Sequence, residues 1–170
     1  MTTTHTALPI PPAVLASLRL RDDAGRPCTP YEDPEGGAPL RCCLRRSRPG
    51  ELIALVSYAP LRRWAAATGA DPGAYDEQGP VFVHGAECPG PAAGSGHPFA
   101  NAGALRTVRR YDAAGRILGG RVLALPEAGA GAGDAAVERA LSEAFADPDT
   151  ALVHVRAAEY GCFLFEVRRA

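Results

Sequence analysis

Two short stretches bring together residue types that do chemistry. "HGAEC" sets His84 four residues before Cys88, and "HVRAAEYGC" sets His154 eight residues before Cys162. A thiolate beside an imidazole is a nucleophile or proton-transfer pair, because a protonated histidine lowers the thiol pKa and can carry the proton away. The same four side chains have the donor types and number of a tetrahedral zinc site, although neither pair has the tight C-x-x-C spacing. The bland alternative is that Cys162 is a small buried hydrophobe and His154 a satisfied core histidine.

An anionic substrate needs a cation. In "LRTVRRYD", strand alternation puts Arg106, Val108 and Arg110 on one face and Thr107, Arg109 and Tyr111 on the other. Arg109 or Arg110 is therefore the candidate clamp for a carboxylate or phosphate, with a solvated sheet face as the alternative. Glu166 shares the Cys162 face of the last predicted strand and could pair with such an arginine or act as a base. Tyr58, with Trp64 and Tyr75, could form an aromatic wall. Cys42 and Cys43 are adjacent in the predicted strand "LRCCLRR"; alternation sends them to opposite faces, so at most one can share the site.

The elements that must position these residues follow from patterning. The first dozen residues, rich in Pro and Thr, read as extended or flexible, and 13–20 as a short helix or an edge strand. Strands are predicted at 40–46, 52–58, 80–85, 105–111, 116–125, 151–156 and 161–169, separated by Gly, Pro and Asp turns. A helix-permissive stretch opens at Pro60, and a low-complexity loop spans 88–103. The main helix covers 135–146, after a Gly-rich link at 126–134. Asp134 is its expected cap, and Val137, Leu141 and Phe145 form its apolar stripe. The predicted fold is one α+β domain over 1–170: a mostly antiparallel twisted sheet with this C-terminal-half helix on one face and short additional helices.

In the last hairpin, the apolar residues Val153, Val155, Phe163, Phe165 and Val167 are expected to share the core face. Pairing Val153 with Phe163 achieves this and sets His154 directly opposite Cys162, on the face without phenylalanines; a two-residue slip keeps the faces and makes the two residues diagonal neighbours.

Composition excludes several classes. The chain has 170 residues and a formal net charge of −1, so a polyanionic partner is not expected. All 18 basic residues are arginine, which rules out a lysine Schiff base and a P-loop lysine. "AGAGAGD" lacks the strand–G-x-G-x-x-G–helix order of a dinucleotide loop, so no organic cofactor is expected, with zinc the alternative. No apolar stretch is long enough to cross a membrane, and the five cysteines, without a secretory signal, read as free thiols in a cytoplasmic protein.

The blocks "GPVFVHGAEC", "RRYDAAGRI", "FADPDTALVHVRAAEYGC" and "VRRA" together resemble the bacterial family known as domain of unknown function 1203, over roughly 50–170. The resemblance implies a bacterial, single-domain, soluble protein and carries no reaction. The chain departs from the family pattern at Ala157, where relatives usually have Asn, and in the longer segment before the Gly-Pro strand, departures that suit a member with a specialised substrate, as in specialised metabolism. The leading expectation is a small enzyme acting on a small polar or anionic metabolite. Cys162 or Cys88 would supply the thiol, His154 and His84 the acid and base, and isomerisation, cyclisation, hydrolysis and acyl transfer stay open. The alternatives are a non-catalytic ligand-binding or structural protein and a Cys/His zinc protein.

Overall fold

The computed structural model of the chain describes residues 4–94 and 96–169. In chain order the elements are α1 (Pro12–Leu20), β1 (Tyr31–Asp33), β2 (Pro39–Leu40), β3 (Arg45–Arg46), β4 (Glu51–Tyr58), α2 (Pro60–Thr68), a 3-10 turn (Gly73–Tyr75), β5 (Gly79–His84), β6 (Leu105–Tyr111), β7 (Ile117–Ala124), α3 (Ala132–Ala146), β8 (Leu152–Ala157) and β9 (Phe163–Arg168). The class is α+β, as the patterning indicates, and the strands divide into two sheets. One has the order β1-β4-β5-β2-β3, the other β7-β6-β8-β9. Pairing is antiparallel except between β2 and β5. No described helix is long and apolar enough to cross a membrane.

Each sheet is covered by the helix whose apolar stripe fits it. Val137 and Leu141 of α3 bury against Val108, Val153, Val155, Phe165 and Val167 of the four-stranded sheet. Leu15 and Leu18 of α1, a helix opened by Pro12 at its first position, pack on Ala54, Val56 and Val83 of the five-stranded sheet. On α2, Leu61 and Trp64 meet Tyr111 and Leu152. The N-terminal segment is extended and docked: Leu8 N–H donates to Glu166 C=O at 2.8 Å, and Ile10 N–H to Arg41 C=O at 2.9 Å, so the segment ties one sheet to the other.

Three expectations about local structure are corrected. The stretch 40–46 is not one strand but β2, a turn and β3. The α3 helix begins at Ala132, inside the predicted Gly-rich link, and its cap is Gly131, which adopts the left-handed φ of 72°. Asp134 is not the cap; it stands in the first turn, where a negative charge suits the helix dipole, and accepts the His97 backbone N–H at 2.6 Å.

The third correction is the register of the last hairpin. Val153 pairs with Val167, His154 with Glu166 and Val155 with Phe165; a bulge then sets Arg156 against Phe163. The extra residue puts both Leu164 and Phe165 on the α3 side and swings Phe163 to the opposite face. His154 is thus not opposite Cys162. Nor is its face free of phenylalanine: the His154 ring lies 5.1 Å from Phe163 and 4.8 Å from Tyr111, centroid to centroid.

Candidate metal centre

The four side chains that converge are Cys42, Cys43, His84 and Cys88, whose sulfurs and imidazole nitrogen all lie within 4.8 Å of one another. His84 and Cys88 come from the expected pair. Cys42 and Cys43 replace His154 and Cys162.

Adjacent cysteines can act together because they do not sit on a strand. The Leu44 N–H donates back to the Leu40 carbonyl at 2.9 Å, closing one helical turn, and Leu44 leaves it with φ 56°. Successive side chains on such a turn diverge by about 100° instead of the ~180° of a strand, so both sulfurs reach the same histidine. His84 Nδ1 lies 3.3 Å from Cys42 Sγ and 3.8 Å from Cys43 Sγ. These distances bracket the sulfur–nitrogen edge of about 3.5 Å expected of a zinc tetrahedron with bonds near 2.3 and 2.0 Å.

Neighbouring elements hold His84 in place. It is the last residue of β5, and Arg19 of α1 donates from Nε to its carbonyl at 3.1 Å. The next residue, Gly85, packs so closely that a Cβ would stand 2.7 Å from Pro30 Cβ and 3.1 Å from Leu52 Cγ. This close approach lets the chain turn back within four residues and present Cys88 to the cluster.

On the far side of the ring, His84 Nε2 lies 3.5 Å from Glu51 Oε1. Arg45 grips Glu51 with both guanidinium nitrogens, at 2.9 and 2.6 Å, and Arg48 N–H adds a third bond at 2.8 Å. The Arg45 bonds, then that of Arg48, hold the Glu51 carboxyl down to about 2. Arg45 Nη2 lies 3.4 Å from the same nitrogen; were Nδ1 to ligate a metal, the ring proton would sit on Nε2 and Glu51 would be the neighbour able to accept it, as in carboxylate–histidine–metal pairs.

The thiols are unequal. A hydrogen bond from Cys42, and then the Arg45 N–H and the charges of His84 and Arg45, lower Cys43 to about 6 against the effect of burial. Donating to Cys43 and being buried both push Cys42 up. Cys42 and Cys43 are buried and His84 and Cys88 half-buried. Three thiols and one imidazole fill a tetrahedron and leave no open position, the pattern of a structural zinc site.

The other predicted site residues lie apart from this cluster. His154 is 1 % exposed, and neither ring nitrogen has a hydrogen-bond partner; Glu166 Oε2, at 3.8 Å, is too distant. Burial pushes the His154 imidazole below its usual value. Cys162 lies in the β8–β9 turn, its Sγ 3.7 Å from the Tyr160 carbonyl oxygen. Glu166 is paired with Arg168 at 2.5 Å. Tyr58 is buried with its ring 5.6 Å from that of Phe163. The split of β6 faces is as expected, but neither candidate clamp is free. Arg109 pairs with Glu77 at 2.9 Å, and Arg156 joins the same carboxylate at 2.7 Å. Arg110 pairs with Asp147 at 2.6 Å. All five cysteines are free thiols.

A family model described as a protein of unknown function (DUF1203) matches residues 37–169, a range that includes all four clustered side chains. No curated protein and no solved structure matches.

Proposed function

The chain belongs to the DUF1203 family of proteins of unknown function, and from its Cys/His cluster we propose that it is a zinc protein, holding one ion on Cys42, Cys43, His84 and Cys88. The single observation that carries this is the convergence of three thiols and one imidazole within 4.8 Å. Soft thiolates with one imidazole select zinc over the hard cations. The ion would supply cross-linking energy: it joins the β2–β3 turn, the end of β5 and the start of the 88–104 loop.

That loop is already fastened partway along, at His97. His97 Nε2 meets Glu138 Oε2 of α3 at 2.7 Å, buried. With Cys88 held by zinc, the loop would be pinned at its start as well as at His97, which supports a structural role for the metal. Its expected benefit is a stability that depends on free zinc, because an ion bound only by the folded state raises stability by mass action.

Metal analysis of the protein purified without chelator tests the proposal. One zinc per chain is expected. Cys43→Ser and Cys88→Ser lose it, whereas Cys28→Ser and Cys162→Ser, outside the cluster, keep it. No bound zinc in the wild-type protein, or equal loss in all four variants, would sink the proposal.

A further inference from the structure

A cavity of about 740 Å³ opens between the two sheets, and the metal centre does not use it. Its apolar wall follows from strand register. Ile53 and Leu55 of β4 lie across from Tyr31 and Phe82, and directly opposed residues share a face, so the four side chains form one surface. Leu55 is 51 % exposed and Tyr31 45 % exposed, although both line a concave space. The facing wall carries Phe99 and Leu164.

Three arginines also line this space, Arg41, Arg46 and Arg106. Arg41 is 2 % exposed. Its Nε donates to the Phe163 carbonyl at 2.8 Å and its Nη1 to that of Pro39, but no carboxylate pairs with it among the described residues. Carbonyls satisfy N–H groups without neutralising a charge, and a buried guanidinium without an anion is costly; burial accordingly pushes Arg41 down to about 10. Arg106 is 5 % exposed, donates to the Leu105 and Phe99 carbonyls, and keeps a buried Nε with no acceptor. Arg46 donates to the Gly37 carbonyl and likewise has no carboxylate partner among the described residues.

The two acids of the lining are already engaged. Asp33 accepts from Ser47 Oγ at 2.6 Å and from the Gly36 N–H at 3.0 Å. Glu159 accepts the Leu105 N–H at 3.1 Å and stands 3.6 Å from Arg106. The cavity therefore offers three guanidinium groups, of which only Arg106 has a carboxylate within ion-pair distance, beside an apolar surface short of cover.

We propose that this cavity binds a small organic carboxylate, with Arg41 and Arg106 facing the carboxylate and Tyr31, Leu55, Phe82 and Phe99 enclosing its apolar body. The planar guanidinium fork matches a carboxylate in shape as well as charge, and the volume suits a small metabolite. This site replaces Arg109 and Arg110 as the anion-recognising element, and it stands whether or not zinc occupies the neighbouring cluster.

Calorimetric titration of the full chain with phenylacetate, 4-methylpentanoate and indole-3-acetate tests the proposal, with phenylacetamide as the uncharged match to the first. At least one carboxylate binds saturably, and the amide binds at least tenfold more weakly than phenylacetate if phenylacetate is the one that binds. Arg106→Gln weakens binding at least tenfold. Leu55→Asp, on the exposed wall, abolishes binding while leaving the thermal midpoint close to wild type, which separates loss of the site from loss of the fold. Absence of saturable binding by all three acids, equal binding of phenylacetate and its amide, or full binding by Leu55→Asp would overturn it.

Discussion

His84 and Cys42 meet twice: the His84 ring Nδ1 lies 3.3 Å from the Cys42 sulfur, and the His84 backbone N–H donates to the same sulfur at 3.2 Å. One histidine therefore ties the end of β5 to the β2–β3 turn through main chain and side chain together. Such a contact pre-sets the ring toward the sulfurs, so a metal would meet its donors already gathered.

Glu51 stands beside His84 and outside the four proposed ligands. Glu51→Gln keeps the size but loses the charge that faces Nε2 and the ion pair with Arg45. Zinc affinity should fall by about 10- to 100-fold, the usual cost of removing such a partner, while zinc stoichiometry at saturation stays at one. Competition against a chromophoric chelator measures this; an unchanged affinity would show that the carboxylate plays no part.

Gly85 is required by close packing, not by an unusual φ. In Gly85→Ala the new methyl meets Pro30 and Leu52, and relief of that overlap displaces the segment between two ligands. A loss of about 1–3 kcal/mol is expected from the overpacking, together with weaker zinc binding. Denaturant unfolding of the zinc-free protein reports the first effect alone, and chelator competition reports the second.

His154 is a buried polar residue whose two ring nitrogens lack partners. Its folded-state pKa is lowered by burial, so the unfolded chain takes up the proton first. Stability is then complete above the unfolded value near 6.5 and declines as pH falls below it. His154→Leu removes the unsatisfied groups, and Glu166 stays paired with Arg168. The variant should be as stable as wild type or more so at neutral pH, and should lack that part of the acid decline. Strong destabilisation at neutral pH would mean that the histidine makes a contact this structure does not contain.

Glu138 fastens both the N-terminal segment and the 88–104 loop to α3. It accepts from Thr4 N–H at 3.0 Å and pairs with His5 at 2.8 Å and His97 at 2.7 Å. Burial alone would raise its carboxyl, but the bonds to His97 and His5 hold it down to about 2. The stabilisation is present above the unfolded value of 4.5 and is lost as pH falls toward 2, on the order of 3 kcal/mol in all. Denaturation midpoints across that range should fall steeply for wild type and flatten for Glu138→Gln.

The fold class was legible in the sequence because turn residues and apolar periodicity are local signals. The helical stripe of Val137 and Leu141, the hairpin of β6 and β7, and the opposite faces of Arg109 and Arg110 all emerged from spacing alone. The last hairpin was misregistered for a physical reason. Both faces of β9 are buried, so "FLFEV" satisfies several pairings, and the bulge that moves Phe163 leaves no mark in the alternation.

The candidate site was half legible. His84 and Cys88 were evident as a pair, but the turn that unites Cys42 with Cys43 depends on the Leu40–Leu44 hydrogen bond, and a strand reading of "LRCCLRR" forbids it. The arginines followed a similar course. Arg109 and Arg110 look free on a strand until Glu77 and Asp147 arrive from distant segments. Arg41 carried no sequence signal of its burial, because the carbonyls that accept its N–H groups belong to the backbone.

X-ray absorption at the zinc edge tests the central claim most directly, on the protein as purified. The predicted first shell holds three sulfurs at about 2.3 Å and one nitrogen at about 2.0–2.1 Å. A shell of nitrogen and oxygen alone, or an edge signal that survives the combined loss of Cys43 and Cys88, would contradict it.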